Sequence, residues 1–131
     1  MGRNPATGAT IQNALLFERM QSAQQRYREL FEDSIDPILI TDWEGKVLET
    51  NRQMVALSGY NNEQLRSMSI DQLHEVNWGR TGLGFETIKS GASCLYESAL
   101  QREDGSAIPI EVYARRVEFD DTEAIQWILR D

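Results

Sequence analysis

The stretch Pro37-Ile-Leu-Ile-Thr-Asp-Trp-Glu-Gly-Lys-Val-Leu-Glu-Thr-Asn-Arg-Gln-Met-Val-Ala-Leu-Ser-Gly-Tyr60 constrains the fold more than any other in the chain. Ile38 and Ile40 alternate with Leu39 and Thr41, Asp42 to Gly45 supplies turn residues ending in a glycine that tolerates positive φ, and Val47 to Thr50 makes a returning strand. Asn51 follows at once. Its side chain can accept from the free amides of a helix's first turn, and Gly59 suits the left-handed position that closes a helix. The pattern predicts a β-hairpin running directly into a short capped helix.

From Asn61 to Gly91 the sequence has small-helix character. Ser69-Ile70-Asp71-Gln72 fits a capping box, with Leu73 and Val76 on the buried side, and Thr81 is placed to cap a further helix carrying Leu83, Phe85 and Ile88 that Gly91 ends. Gly82 and Gly84 do not make a phosphate-cradling loop, because Thr87 stands where a third glycine is needed and no strand precedes them. After Gly91 the period changes to two. Ser93 to Leu100 forms a strand, Arg102 to Gly105 a turn, and Ile108 to Val117 a second strand with Ile110, Val112 and Ala114 on one face. Pro109 cannot donate to a ladder and belongs near a strand start or an irregularity. Thr122 to Arg130 makes the last strand, where Ile125, Trp127 and Leu129 alternate with Ala124, Gln126 and Ile128; both faces are apolar, so both are expected to be covered.

Residues 9–33 are almost free of Gly and Pro and read as one long helix. Leu16, Met20, Ala23, Tyr27 and Leu30 recur at spacings of four and three, the seam of a left-handed coiled coil; the alternative is an amphipathic helix lying on its own domain's sheet. Residues 1–8 read as remnant or linker, and 34–131 as one folded domain, since 131 residues suffice for one core but hardly two.

Charge and composition remove several functions. The net charge of −8 repels nucleic acid and anionic membrane over a Debye length. No apolar run approaches the roughly 18 to 20 residues that span a bilayer, and no secretion signal opens the chain, so a cytoplasmic location is expected. A single Cys94 excludes an internal disulfide and a multi-cysteine metal site, and is read as a small buried packing residue. Any histidine chemistry depends on His74, the sole histidine, which is expected on the solvated surface beside Glu75. Asp120-Asp121 and Glu32-Asp33 fall at turns or helix ends, where carboxylates serve capping and solubility. No catalytic residue and no metal ligand is assigned.

The series formed by the hairpin and Asn51, Ser58-Gly59-Tyr60, Asn62-Glu63-Gln64-Leu65, Arg102-Glu103-Asp104-Gly105 and Trp127-Ile128-Leu129-Arg130-Asp131 resembles, in order and from near Ser34 to the last residue, a PAS sensor domain (sensory box) of a bacterial-type signal-transduction protein. The resemblance implies an α+β fold, a five-stranded antiparallel sheet flanked by short helices, here with a long N-terminal helix. It implies that one sheet face closes over the helices and any ligand while the other receives the flanking helix or a second subunit, giving Trp127 a partner in the N-terminal helix. Ile11 to Glu18 is similar to the terminal helix of a GAF domain, a frequent upstream neighbour, and the closing Arg130-Asp131 commonly leads to an effector, a histidine kinase or diguanylate cyclase.

Candidate pocket-lining residues are Met54, Leu57, Leu73, Trp78, Phe85, Ile110, Val112 and Ile128, whose default role is core. By resemblance the domain can carry haem, flavin, a metabolite or nothing. Histidine-ligated haem is not expected, since Thr81 to Ser90 contains no histidine, and Cys94 lacks the sequence context of the flavin-adduct photoreceptors. Noncovalent flavin stays open through Asn77-Trp78, because an indole can stack on an isoalloxazine ring, against a tryptophan that simply covers the core. The resulting reading is a noncatalytic sensory and dimerisation module, with no cofactor preferred, and with a ligand-free spacer and a noncovalent flavin redox sensor as alternatives.

Overall fold

The hairpin forms where the alternation places it. In this computed structural model, which describes Gln25 and residues 28–131, β1 (Ile38–Thr41) and β2 (Val47–Thr50) pair antiparallel. Asp42 organises the turn: its Oδ1 accepts from the amides of Glu44 and Lys46, both at 2.9 Å, and Gly45 takes φ 87°. Four short helices follow, α1 (Arg52–Ser58), α2 (Asn62–Arg66), α3 (Ile70–Leu73) and α4 (Trp78–Thr81), then a 3₁₀ turn (Leu83–Phe85) and α5 (Glu86–Lys89). Three long strands complete the chain: β3 (Cys94–Gln101), β4 (Ala107–Phe119) and β5 (Thr122–Arg130).

The sheet order is β2-β1-β5-β4-β3, antiparallel throughout, so the last strand lies beside the first. β4 and β5 are joined by Asp120 and Asp121 alone, with φ 50° and 62°, the two left-handed positions of a tight hairpin. Pro109 pairs with Ala99 of β3 beyond the point where β5 begins to pair, at Glu111, so its missing N–H interrupts no β5 bond. The β3–β4 turn docks on the end of α1: the Glu103 amide donates to Ser58 O at 2.9 Å and Arg102 Nε to Leu57 O at 2.9 Å.

One sheet face and the helices enclose the core. Leu39, Met54, Leu65, Leu73, Ile88, Leu100, Val112, Ile125, Trp127 and Leu129 are buried there, each large side chain contributing about 1.5–3 kcal/mol. The other face carries an apolar row in direct register across four strands, Ile38, Ile128, Tyr113 and Leu95, and Leu95 at its end is 52% exposed.

Several expectations require correction. Trp127 belongs to the core face, not to the face expected to meet the N-terminal helix: its cross-strand neighbours Leu39 and Ala114 both point into the core, and its Nε1 donates to the buried Thr41 hydroxyl at 2.8 Å. The same alternation puts Ile128 on the opposite face from the other pocket candidates. The single helix expected from Thr81 onward is broken at Gly82, Gly84 and Phe85, all with positive φ, which leaves Leu83 76% exposed. At Ser69 the capping box forms as expected, the Ser69 side chain facing the Gln72 amide and the Gln72 side chain accepting from the Ser69 amide at 2.9 Å, and the Ser69 hydroxyl also donates to Asp71. Residues 28–32 are helical and Leu30 is exposed; the rest of the helix expected over 9–33, and the segment 1–8, lie outside the described residues except for Gln25.

Candidate functional site

Two clusters of polar atoms are built into this apolar frame. The first ties the incoming and outgoing ends of the domain together. Asn51 is 1% exposed; its Oδ1 accepts from the amides of Met54 and Ile38, each at 3.0 Å, and its Nδ2 donates to Asp36 O at 2.9 Å. One side chain therefore caps α1 and fixes the start of β1. The last strand closes on the same place: the Leu129 amide donates to Pro37 O at 3.0 Å and Arg130 pairs with Asp36 at 3.3 Å. Beside this junction an open groove of about 520 Å³ is lined by Ile35, Asp36, Gln53, Leu57, Arg130 and Asp131, among others.

The second cluster lies in the core. His74, expected on the surface, is 1% exposed. It directly follows α3, and its backbone bridges to Leu100 of β3, which turns the ring inward. Its Nδ1 is 3.1 Å from Ile70 O and its Nε2 2.6 Å from the Tyr96 hydroxyl. A carbonyl oxygen can only accept, so Nδ1 bears the proton and Nε2 accepts from the tyrosine O–H. The ring stacks on Tyr96 at 5.8 Å and meets the edge of Trp127 at 5.7 Å. Burial, opposed by the Ile70 carbonyl and Asp71, lowers the His74 pKa to about 4; burial likewise pushes the Tyr96 phenol well above its ordinary value. A base of that strength is poorly matched to proton abstraction at neutral pH, and the phenol is held protonated. The pair is a satisfied polar cross-link between α3 and β3.

Of the eight pocket candidates, Met54, Leu73, Phe85, Ile110 and Val112 meet in one core. Leu57 packs at its rim and lines the junction groove, Ile128 is on the far face, and Trp78, 41% exposed, lies outside the core against Phe85 at 5.2 Å. Cys94 is buried at the start of β3, its thiol donating to Arg80 O at 3.1 Å, and burial raises its pKa. Among the described residues no three His, Cys, Asp or Glu side chains gather to hold a metal ion, and no helix is long and apolar enough to cross a membrane. Sequence reasoning misplaced His74 and missed Tyr96, Asp36 and the pairing of Arg130 with Asp36. The period-two placement of Cys94 and Tyr96 on one face of β3 was the available signal for the tyrosine; for Asp36 and Arg130, adjacency exists only once β5 inserts beside β1.

The residues that match the PAS fold family model are 25–131, the hairpin, helical cover and three long strands together. The chain belongs to the PAS family. Among solved structures it resembles a domain of the sensory box sensor histidine kinase/response regulator from Geobacter sulfurreducens, with TM-score 0.71 and 26% identity over 86% of this chain and 96% of that one. It also resembles the PAS domain of an HTR-like protein from Haloarcula marismortui, with TM-score 0.72 and 25% identity over 90% and 98% of the two chains. A methyl sulfide methyltransferase-associated sensor from Methanosarcina acetivorans is 23% identical over 126 residues, 95% of this chain and 13% of that protein's length. The chain thus spans a small part of that relative, and PAS domains of this kind sit in sensor proteins.

Proposed function

We propose that this PAS domain is a noncatalytic sensory and dimerisation module that passes a signal to an effector domain of a longer cytoplasmic protein, a histidine kinase or diguanylate cyclase, with a GAF-like module upstream. The observation that carries the reading is the junction: the incoming segment at Asp36–Ile38 and the outgoing Leu129–Arg130 are bonded side by side, and both belong to the sheet whose inner face is the core. A change in core packing that shifts β1 or β5 therefore acts on both connections at once. A coupling of about 1–3 kcal/mol between core and junction makes a useful switch. The cross-strand row Ile38, Ile128, Tyr113 and Leu95, together with the N-terminal helix, is the proposed homodimer surface.

Native mass spectrometry with visible absorbance of the freshly purified chain, followed by melting in a metabolite screen, tests the sensory reading. A retained or added small molecule at about 100 times its Kd is expected to stabilise the fold by about 2.7 kcal/mol. A bare chain whose melting no compound shifts supports a ligand-free spacer instead. A flavin spectrum selects the redox alternative, for which the half-exposed Trp78 indole is the stacking surface.

A further inference from the structure

Three of the residues 82–85 have positive φ: Gly82 (φ 79°, ψ 152°), Gly84 (φ 64°) and Phe85 (φ 59°, ψ 31°). The glycines adopt this freely, whereas a phenylalanine there is strained and has no short polar side chain to compensate. Packing holds it. Phe85 is 3% exposed, meets the edge of Trp127 at 5.6 Å, and is covered from outside by Trp78 at 5.2 Å. Its ring tip reaches the β1–β2 turn at Gly45, where an added Cβ would stand 3.6 Å from Cε2 and Cζ. The closed segment is thus strained in its backbone and satisfied in its packing, which is the balance of a two-state element.

The segment is held tightly at one end and open at the other. A Cβ at Gly82 would meet Glu86 Cγ at 2.5 Å and Thr87 Oγ1 at 2.9 Å, so the pivot seats against α5, while around Gly84 there is nothing within 4 Å of the same position. Leu83 between them is 76% exposed and anchors nothing. The backbone bonds here are local, Phe85 N to Gly82 O at 3.0 Å and Gly82 N to Trp78 O at 2.8 Å, and neither ties the segment to the sheet.

We propose that Phe85 is a displaceable aromatic plug, and that its displacement opens a site in the core, walled by Trp127 and the Gly45 turn, for a flat uncharged molecule the size of a benzene ring. This deepens the sensory reading and rests on it for its use: binding replaces an internal ring by an external one against Trp127, a residue of β5. The plug competes with the ligand, so the apparent affinity is the intrinsic affinity multiplied by the fraction of molecules in which the plug is displaced.

Amide hydrogen exchange and benzene titration followed by NMR test the proposal on the whole chain. Millimolar benzene is expected to speed exchange of residues 83–89 in the wild type by about threefold or more, and Phe85→Gly, with no plug to displace, to bind it about tenfold more tightly. Unchanged exchange at 83–89, or equal affinity in the two proteins, overturns the plug. Should Phe85→Gly not fold, Phe85→Leu, a shorter plug, carries the same comparison. Either failure leaves the sensory reading standing, because retained metabolites and their effect on melting decide that separately.

Discussion

Replacing Asn51 by alanine separates the two jobs of one buried side chain from everything else in the domain. The substitution deletes three hydrogen bonds, from Met54 N at 3.0 Å, from Ile38 N at 3.0 Å and to Asp36 O at 2.9 Å. Each is worth about 1 kcal/mol net, and the Ile38 and Met54 amides left facing a methyl group add further desolvation cost, for a total of about 3–5 kcal/mol. Against a stability of roughly 5–15 kcal/mol for a domain this is a large fraction, and at about 4–8 °C per kcal/mol it lowers Tm by about 12–40 °C. Asn51→Asp keeps the acceptor for both amides but sets a buried carboxylate oxygen against Asp36 O, so it too is less stable than wild type at neutral pH. Urea unfolding followed by circular dichroism provides the numbers. A loss below about 1 kcal/mol in Asn51→Ala refutes the reasoning, since it means that the strand ladder alone fixes the junction.

Three further outcomes follow from the geometry. His74 has a folded pKa of about 4 against 6.5 when unfolded, so the unfolded chain binds more protons in that window. Stability is therefore full above pH 6.5 and falls as pH drops toward 4, by at most about 1.4 kcal/mol per unit; subtracting the profile of His74→Gln should isolate this slope, and identical profiles would contradict it. The double change Asp120→Asn with Asp121→Gly should raise Tm by about 4–8 °C, because both positions are left-handed and the two adjacent carboxylates disappear. At position 85, Gly should be more stable than Ala by about 1 kcal/mol in urea titration, since both delete the ring and only Gly relieves the backbone; Ala equal to or better than Gly removes the strain from the account.

The β1–β2 hairpin, its Asp42–Gly45 turn, Asn51 as a cap and the three long strands were legible because each depends on residues near in sequence. Local periodicity also grouped Ile125, Trp127 and Leu129 on one face. What it could not decide was which face meets the helices, since both are apolar, and that choice sent Trp127 to the wrong layer and Ile128 into the pocket set. His74 was misread for a related reason. Its place beside Glu75 in a polar stretch suggested solvent, whereas a partner 22 positions away, Tyr96, satisfies the ring inside. The break at 82–85 hides in the same way, because Phe85 at helical spacing from Ile88 looks like helix until its left-handed backbone is seen.

The central claim is that core packing and the Asp36–Arg130 junction are coupled through β1 and β5. Amide exchange at Ile38 and Leu129, the residues whose N–H groups bond Asn51 and Pro37, tests it most directly when measured in Phe85→Gly with and without benzene in the vacated core. Coupling predicts that filling the core changes exchange at both amides by about fivefold or more, the lower end of ordinary allosteric linkage. Junction amides that exchange at one rate whether the core is empty or filled would contradict it.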